Sequence, residues 1–520
     1  MSIIWNSSKV AEGLVTTQAA HAGTMAYLKE LLDEYHGVPR SESYYDLVAG
    51  AWLNEFTHLI YASWQYVLSG KRVCEVQPIR VAGDIQTYTQ FTLNPHFHEC
   101  CQSAVQKLLS GESPFDWHFD HNNVNAFVSR GDWRKKILAH TLGSSRPSVI
   151  FCSPYVKCSR LDWLNTLWQW RRWAKWDDFN YPVHLSCQID QDWRRARAVD
   201  GTPIRDFSTM LRALLPLHIP VALLEGFASV RKEVLGLRLW RPRALYTANA
   251  LNYNLIFKIL AAEWRTEGTV LLNHQHGGGY GLDRVHVVEE YETRVADRFY
   301  SWGWQRSDRP VQPMSAAIPV LGKGHRFRVL LMCCIFPATV YRLQFHPMPG
   351  MIEVMERNTA AFLAKLPANT DLLVRLNPAY NYKEFKKPLQ VAAPWAAFDE
   401  SRPGVFQRYA ESRLVVHNYL GTSWLETLAM DIPTVCFFDQ DTYAFRAEAQ
   451  PYIDAMERVG ILHRSALEAA RFVAGVMADP QGWWQKTEVQ DARQAFVSRY
   501  ANLSSNWAAQ WEAEFRQWVE

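Results

Sequence analysis

The chain has 520 residues, of which 48% are apolar and 21% charged, and its 55 basic and 52 acidic side chains leave a formal net charge of +3. That is apolar material enough for two sizeable cores, and a balance so near neutrality gives no global electrostatic case for nucleic acid as a partner. No stretch approaches the ~18 apolar residues of a membrane span, the start MSIIWNSSKVAEG lacks a basic region followed by a long apolar run, and nine scattered Cys in so large a chain predict reduced thiols, so a soluble cytoplasmic protein is expected.

The region before Pro147 reads as mostly helical. Tyr44–Leu68 places Leu47, Trp52, Phe56, Ile60, Trp64 and Val67 at helical intervals, which turns one face toward a core. The peptide Asn94-Pro-His-Phe-His-Glu-Cys-Cys101, with Asp116, His118, Asp120 and His121 further on, offers metal-ligand types. The alternation of His96, His98 and Cys100 suits a strand or turn, however, and no second Cys-x-x-Cys or His-x-x-x-His completes a tetrahedral set, so no metal site is expected.

From Pro147 the periodicity changes. Val149–Cys152 reads as a strand and Leu161–Trp176 as a helix with Trp163, Leu167, Trp170 and Ala174 on one face. Arg171, Arg172 and Lys175 alternate with Trp168, Trp173 and Trp176 elsewhere, so this helix is either Trp-rich core or a peripheral contact with the cytoplasmic face of the inner membrane. Val221–Leu224, Ala244–Tyr246, Val270–Asn273 and Arg298–Ser301 read as parallel strands, with a helix over Tyr253–Glu263, which predicts a doubly wound domain.

Two of these strand ends carry chemistry. Glu225, followed by Gly226 and Phe227, is a carboxylate at the carboxyl end of an expected strand, where α/β folds bind ligands; the alternative is a turn acid that caps the next helix. In Asn273-His-Gln-His-Gly-Gly-Gly-Tyr-Gly281 the consecutive Gly277, Gly278 and Gly279 permit close backbone approach and an anion-binding nest, with His274, Gln275 and His276 beside it.

Residues 311–327, broken at Pro313, Pro319, Gly322 and Gly324, read as a linker between an N-terminal domain of residues 1–310 and a second α/β domain of residues 328–480. The latter opens with the strand Arg328–Cys333 and the turn Phe336-Pro337, after which Arg342 is placed to hold a carboxylate or phosphate. A strand over Asp371–Leu376 follows and contains Arg375, with Asn377-Pro378 at its end. Leu414–Val416 then breaks at His417-Asn418 into Gly421-Thr422-Ser423, continues as a helix over Trp424–Met430 and returns as the strand Thr434–Phe438, one βαβ unit. Its helix N-terminus favours a phosphate. Thr422 and Ser423 are the cap and phosphate donors, and Glu426, one turn on, is at a reach where it can accept hydrogen bonds from a ribose diol. Tyr443–Arg446 follows as a segment able to close over the nucleotide, and the Trp-rich tail, residues 481–520, is helical by pattern.

The pattern Gly-Thr-Ser-x-x-Glu-Thr-Leu-Ala-x-x-x-Pro-Thr-Val of residues 421–435 resembles the donor-nucleotide unit of glycosyltransferases with two facing Rossmann-like domains, the GT-B arrangement. A wider order of motifs runs through Trp52-Leu53-Asn54, Ile219–Phe227, Phe257-Lys258, Gln275-His-Gly-Gly-Gly-Tyr-Gly and the late Glu-Thr-Leu-Ala. It resembles a family of transferases from surface-polysaccharide and O-antigen gene clusters, itself similar to the bacterial Kdo transferases that use CMP-activated ulosonic acids.

The resemblance implies an α/β, GT-B-like fold with a helical N-terminal extension and C-terminal helices that cross back onto the first domain. It implies a glycosyltransferase whose nucleotide-sugar donor meets Arg342, Arg375, Asn377, His417, Thr422, Ser423 and Glu426, and whose glycan or lipid-linked glycan acceptor meets the N-terminal domain. Glu225-Gly226-Phe227 is similar to an Asp-Gly-Phe nucleophile motif but carries Glu, and Asn377-Pro378 stands where Kdo transferases have His-Pro. Either Glu225 is a nucleophile and His276 a donor to the sugar carboxylate or leaving phosphate, or His276 is the base and Glu225 orients the acceptor. No Asp-x-Asp motif appears where a metal-dependent transferase needs one, so a metal-independent enzyme without a cofactor is expected. A hexosyltransferase using UDP or a deoxythymidine nucleotide, a CDP-glycerol-type glycerophosphotransferase with His276 or His417 at the phosphate, a nucleotide-sugar epimerase and a non-enzymatic glycan-binding protein stay open as alternatives.

Overall fold

The structure is a computed structural model that describes residues 5–74, 76, 81–112, 123–129, 143–197, 203–321, 328–336, 339, 342–345, 348–377, 382–400 and 404–519. Asp116, His118, Asp120, His121, Pro337, Pro378 and the end of the expected linker, 322–327, lie outside the described residues.

The N-terminal half contributes strands β1 (Asn123–Ser129), β2 (Val149–Cys152), β3 (Ala174–Trp176), β4 (Val183–Gln188), β5 (Ala244–Thr247), β6 (Val270–His274), β7 (Arg298–Ser301), β8 (Val311–Pro313) and β9 (Ala316–Ala317). The C-terminal half contributes β10 (Arg328–Cys333), β11 (Leu372–Leu376), β12 (Ala397–Phe398), β13 (Ser412–His417), β14 (Thr434–Phe437), β15 (Leu462–His463) and β16 (Leu503–Ser504). Two six-stranded parallel sheets result, in the orders β3-β2-β5-β6-β7-β8 and β12-β11-β10-β13-β14-β15. Helices on both faces bury strands such as β5 throughout, which is why these segments read as unbroken apolar runs without alternation. Chain direction across each sheet reverses once, between β2 and β5 and between β10 and β13, and such switch points open a crevice at the carboxyl ends of the strands. The two crevices face each other, as two facing Rossmann-like domains require.

The helical extension packs on the first sheet's helices. Ser41 accepts the Tyr44 N–H (3.2 Å) and so starts the helix Glu42–Leu68, whose Leu47, Trp52, Phe56, Ile60 and Trp64 are buried. That helix lies against Ser7–His36, Leu255–Thr266 and Val287–Val295. At the far end the helix Thr487–Tyr500 leads into β16, which pairs with β9, and the helix Trp507–Phe515 then covers one face of the first sheet.

Four expectations are corrected. Residues 94–101 form the start of a helix, Pro95–Ser110, because Asn94 caps the His96 N–H (3.0 Å) and Pro95 occupies the first turn. The helix expected over 161–176 ends at Trp170, and Ala174–Trp176 turns back as the edge strand β3. Val221–Leu223 is a buried 3-10 turn rather than a strand: Pro220 fixes its entry, and the Val221 and Ala222 N–H groups donate to Ala82 O (2.9 Å) and Gly83 O (2.8 Å) rather than to a ladder. Part of the expected linker belongs to sheets, as β8 and β9.

The tryptophans are chiefly core. Trp170, Trp507 and Trp511 gather with Phe151, Tyr246 and Phe515 between the crossing helix and the first sheet, and Trp511 Nε1–H donates to Ser315 O (2.8 Å). On the helix Arg160–Trp170, Leu161 and Trp168 remain outside this cluster, 67% and 59% exposed. No helix among the described residues is long and apolar enough to cross a membrane. Trp511→Ala should therefore cost about 3–5 kcal/mol in urea unfolding, whereas Trp168→Ala should stay within ~0.5 kcal/mol of the parent.

Candidate active site

The glycine loop leaves β6 beside the crevice, and its shape is set by Gln275. The buried Gln275 amide oxygen accepts the Trp302 N–H and the Trp304 Nε1–H, both at 2.8 Å, and its NH2 donates to Gly277 O (2.8 Å). His274 turns away under the crossing tail: Nε2 lies 3.2 Å from Met314 O and must donate to it, so Nδ1 accepts the Tyr246 hydroxyl (2.7 Å). Burial holds its pKa down at about 3.

His276 alone of the two histidines reaches the cleft, with a side chain 24% exposed. Its Nε2 lies 3.2 Å from Glu292 Oε1 and 2.9 Å from the Tyr280 hydroxyl. Tyr280 donates to Glu292 Oε2 (2.9 Å), and Asn252 Nδ2 donates to Glu292 Oε1 (2.8 Å). With the tyrosine proton committed to the carboxylate, both neighbours of Nε2 are acceptors, so the ring proton belongs on Nε2 and the Nδ1 lone pair is left for the cleft. Tyr280 and Glu292 were invisible to motif reading as functional groups, although Tyr280 stands inside the glycine peptide.

The same loop touches the second domain. Gly278 N–H donates to Thr422 Oγ1 (3.1 Å), and a Cβ on Gly278 would stand 2.6 Å from the Gly421 carbonyl carbon. Gly277 lies less tightly against the same residue, its Cβ position 3.3 Å from Thr422 Oγ1, and Gly279 has the positive φ (+89°) that a nest requires. The glycines thus abut the N-terminus of the helix Thr422–Ala429, whose cap residue is Gly421 and not Thr422 or Ser423. Thr422 and Ser423 are its first two residues, and Ser423 Oγ lies 3.3 Å from both Tyr419 Oη and His417 Nδ1.

The remaining expected donor residues scatter. His417 is wholly buried beneath this helix, with Nε2 3.0 Å from Thr427 Oγ1, and burial lowers its pKa to about 3; it is a neutral packing group, which corrects its assignment to a phosphate. Glu426 is nearly buried, and its two oxygens accept from Lys157 Nζ, a residue of the first domain, and from the Tyr409 hydroxyl (3.4 Å). Arg342 lies 3.6 Å from Glu55 in the helical extension, beside Leu343, whose N–H donates to His58 Nδ1 (3.2 Å). Arg375 is ion-paired to Asp399 (2.5 Å), which Arg408 also holds, and Asn377 is exposed past the end of β11. Tyr443–Arg446 bolts onto the first domain rather than closing over the crevice. Phe445 bridges to Asp283, and Arg446 N–H donates to Leu282 O (2.9 Å) and its guanidinium to Glu289 (2.7 Å).

Glu225 does not reach the cleft. Arg194, itself wholly buried, grips both its oxygens at 2.7 Å and also donates to Pro216 O (2.6 Å) and Ile219 O (2.9 Å). The expected nucleophile is instead half of a desolvated ion pair that fastens the 3-10 turn to the helix Gln191–Ala196, because the absent strand leaves the residue turned inward. Among the described residues no cluster of His, Cys, Asp or Glu has metal-binding geometry.

The architecture so built is that of a two-domain α/β enzyme with its functional groups at facing strand ends. The chain belongs to the LIC12162 family of transferases, whose model matches residues 1–515. Among curated proteins none matches the sequence. Solved structures of remote similarity include TarM (8% identity, 66% of each chain, TM-score 0.38) and MurG of Acinetobacter baumannii (11% identity, 71% of this chain and 100% of that one, TM-score 0.38). Anabaena HepE in complex with UDP-glucose is another (13% identity, 70% and 99%, TM-score 0.38). The chain spans just under two thirds of TarM.

Two outcomes follow from the buried groups. Glu225→Gln leaves the Arg194 charge buried without its counter-ion and should cost about 3–5 kcal/mol in unfolding with nucleotide affinity unchanged in calorimetry. For His58, His218, His274 and His417 burial lowers the folded pKa to about 3. The unfolded chain, with histidines near ~6.5, takes up protons that the folded chain refuses. This stability is therefore full above pH ~6.5 and lost as pH falls toward the folded values, and urea midpoints should drop between pH 7.5 and pH 5.

Proposed function

We propose that the protein is a glycosyltransferase that moves a sugar from a nucleotide-activated donor to a hydroxyl of a glycan or lipid-linked glycan, with the reaction in the cleft between the two sheets. The observation that carries this reading is the contact between Gly278 and Thr422, which sets His276 and its Glu292 carboxylate beside a helix N-terminus of the other domain. Such a terminus accepts the donor phosphate, whose growing charge its free N–H groups and dipole stabilise as the bond to the sugar breaks. His276 Nδ1 takes the acceptor hydroxyl proton while that oxygen attacks the anomeric carbon, and the nucleotide leaves with the electron pair of the broken C–O bond. Glu292 stabilises the imidazolium so formed. A single displacement of this kind inverts the anomeric centre and needs no nucleophile from Glu225.

The donor supported by the motif resemblance is a CMP-activated ulosonic acid. Thermal shifts and calorimetry with CMP, CDP, UDP and dTDP test it: a CMP response supports that donor, a CDP response a glycerophosphate, and a UDP or dTDP response a hexose. Silence with all four overturns the transferase reading of this cleft. With the nucleotide that responds, His276→Ala should lose turnover by ~100-fold or more while nucleotide affinity stays within about threefold, well under one tenfold step of binding free energy.

A further inference from the structure

The segment that follows β2 reaches across to the second domain through Lys157, which pairs with Glu426. Ser153 and Tyr155 both have left-handed backbones, φ +46° and +47°, a conformation that non-glycine residues adopt sparingly and that clusters where neighbours over-determine it. The neighbours are present. Ser153 N–H donates to Asp178 Oδ1 (2.8 Å), and the Tyr155 ring stacks on Trp302 (6.2 Å between centroids) and meets His276 edge-on (6.4 Å). This double turn delivers Lys157 across the cleft to Glu426 Oε1, where the ammonium lies 4.8 Å from the Tyr155 ring centroid and 5.8 Å from that of Phe406.

Within that pair the exposures differ: the Lys157 side chain is 30% exposed and that of Glu426 only 4%. A ligand entering the cleft therefore meets the lysine first and cannot engage Glu426 until the ammonium moves. Glu426 lies four residues past Thr422, about 6 Å along the helix axis, so a phosphate at the helix N-terminus would face a buried carboxylate at close range. Two such anions repel strongly away from bulk water unless a cation stands between them.

Resting on the nucleotide reading of this cleft, we propose that Lys157 is a positioning residue for the donor: it holds Glu426 in the empty cleft, and it moves to a phosphate oxygen when a ribose diol takes over that carboxylate. The exchange conserves charge pairing, since one ammonium always faces one anion and the diol supplies hydrogen-bond donors to the other. It also makes the cleft selective. A nucleoside without phosphate must displace the lysine and offers it no anion in return, whereas a nucleotide supplies the ribose and the anion together.

Calorimetry of the full chain and its Lys157→Met and Lys157→Arg variants, with CMP or CDP against cytidine, UDP against uridine and dTDP against thymidine, tests the exchange. For the nucleotide that the parent binds, Lys157→Met should weaken affinity by about 10–100-fold, the scale of one charge-assisted contact, while affinity for the matching nucleoside stays equal or rises. Lys157→Arg keeps the charge and should stay within about threefold of the parent, well short of the loss expected for the neutral variant. It also keeps the test open should the neutral variant fail to fold, because a tenfold loss of nucleotide affinity there, with the matching nucleoside lost in parallel, overturns the exchange. In a folded Lys157→Met protein, unchanged nucleotide affinity or equal losses for nucleotide and nucleoside overturn it too. A parent protein that binds none of CMP, CDP, UDP and dTDP overturns the exchange together with the reading beneath it, which separates that failure from the others.

Discussion

Everything at the cleft depends on the absence of side chains where the two domains touch. The backbone of Gly278 lies against that of Gly421 and Thr422 so closely that a Cβ on Gly278 would stand 2.6 Å from a carbonyl carbon, and one on Gly421 would stand 1.9 Å from the Tyr419 ring. Backbone cannot yield as a flexible side chain can, so any larger residue at Gly278 would hold the domains apart, whereas one at Gly421 would collide with the Tyr419 ring of its own domain. Further interdomain bonds accompany the contact, among them Lys157 to Glu426, Asp283 with Phe445, Glu289 with Arg446 and the Leu343 N–H with His58. His276 is placed by the same loop, one residue before the three glycines.

Two buried carboxylates of the first domain show how partner type separates structure from chemistry. Glu225 faces the guanidinium of Arg194, a permanent charge with fixed fork geometry, and both its oxygens are taken. Glu292 faces an imidazole, a phenol and an amide, none of them a permanent charge like a guanidinium. The first arrangement has one stable state and serves to fasten a turn. In the second, a positive charge arising on His276 would be met at once by an anion already in place.

The tail gives the two-domain frame its second attachment. The helix Thr487–Tyr500 rests on the second domain, where Trp424 packs on Phe496 (4.9 Å between centroids), and fifteen or so residues later the same chain covers the first sheet through Trp507, Trp511 and Phe515. Apolar burial at both ends of one covalent segment ties the two sheets together independently of the glycine contact. It also accounts for most of the tryptophan in the carboxyl-terminal region, with Trp483 and Trp484 buried as well.

The elements legible in the chain alone were those whose pattern is local. Strands buried on both faces announce themselves as short apolar runs, so Arg298–Ser301 and Arg328–Cys333 fall where they were read, and the run from Leu414 to Phe438 is a βαβ unit whatever surrounds it. Three adjacent glycines after a strand likewise mark a close approach without saying to what. Tertiary structure decided the rest, because burial alone cannot tell a strand from a 3-10 turn at Val221–Leu223, nor a helix from a helix and an edge strand at Arg160–Trp176. It decided the side-chain roles above all. Glu225 and Glu292 are equally plain acids in sequence, and the partners that distinguish them, Arg194 and His276, are chosen by packing; Lys157 and Glu426 meet across 269 positions, a distance over which no periodicity carries information.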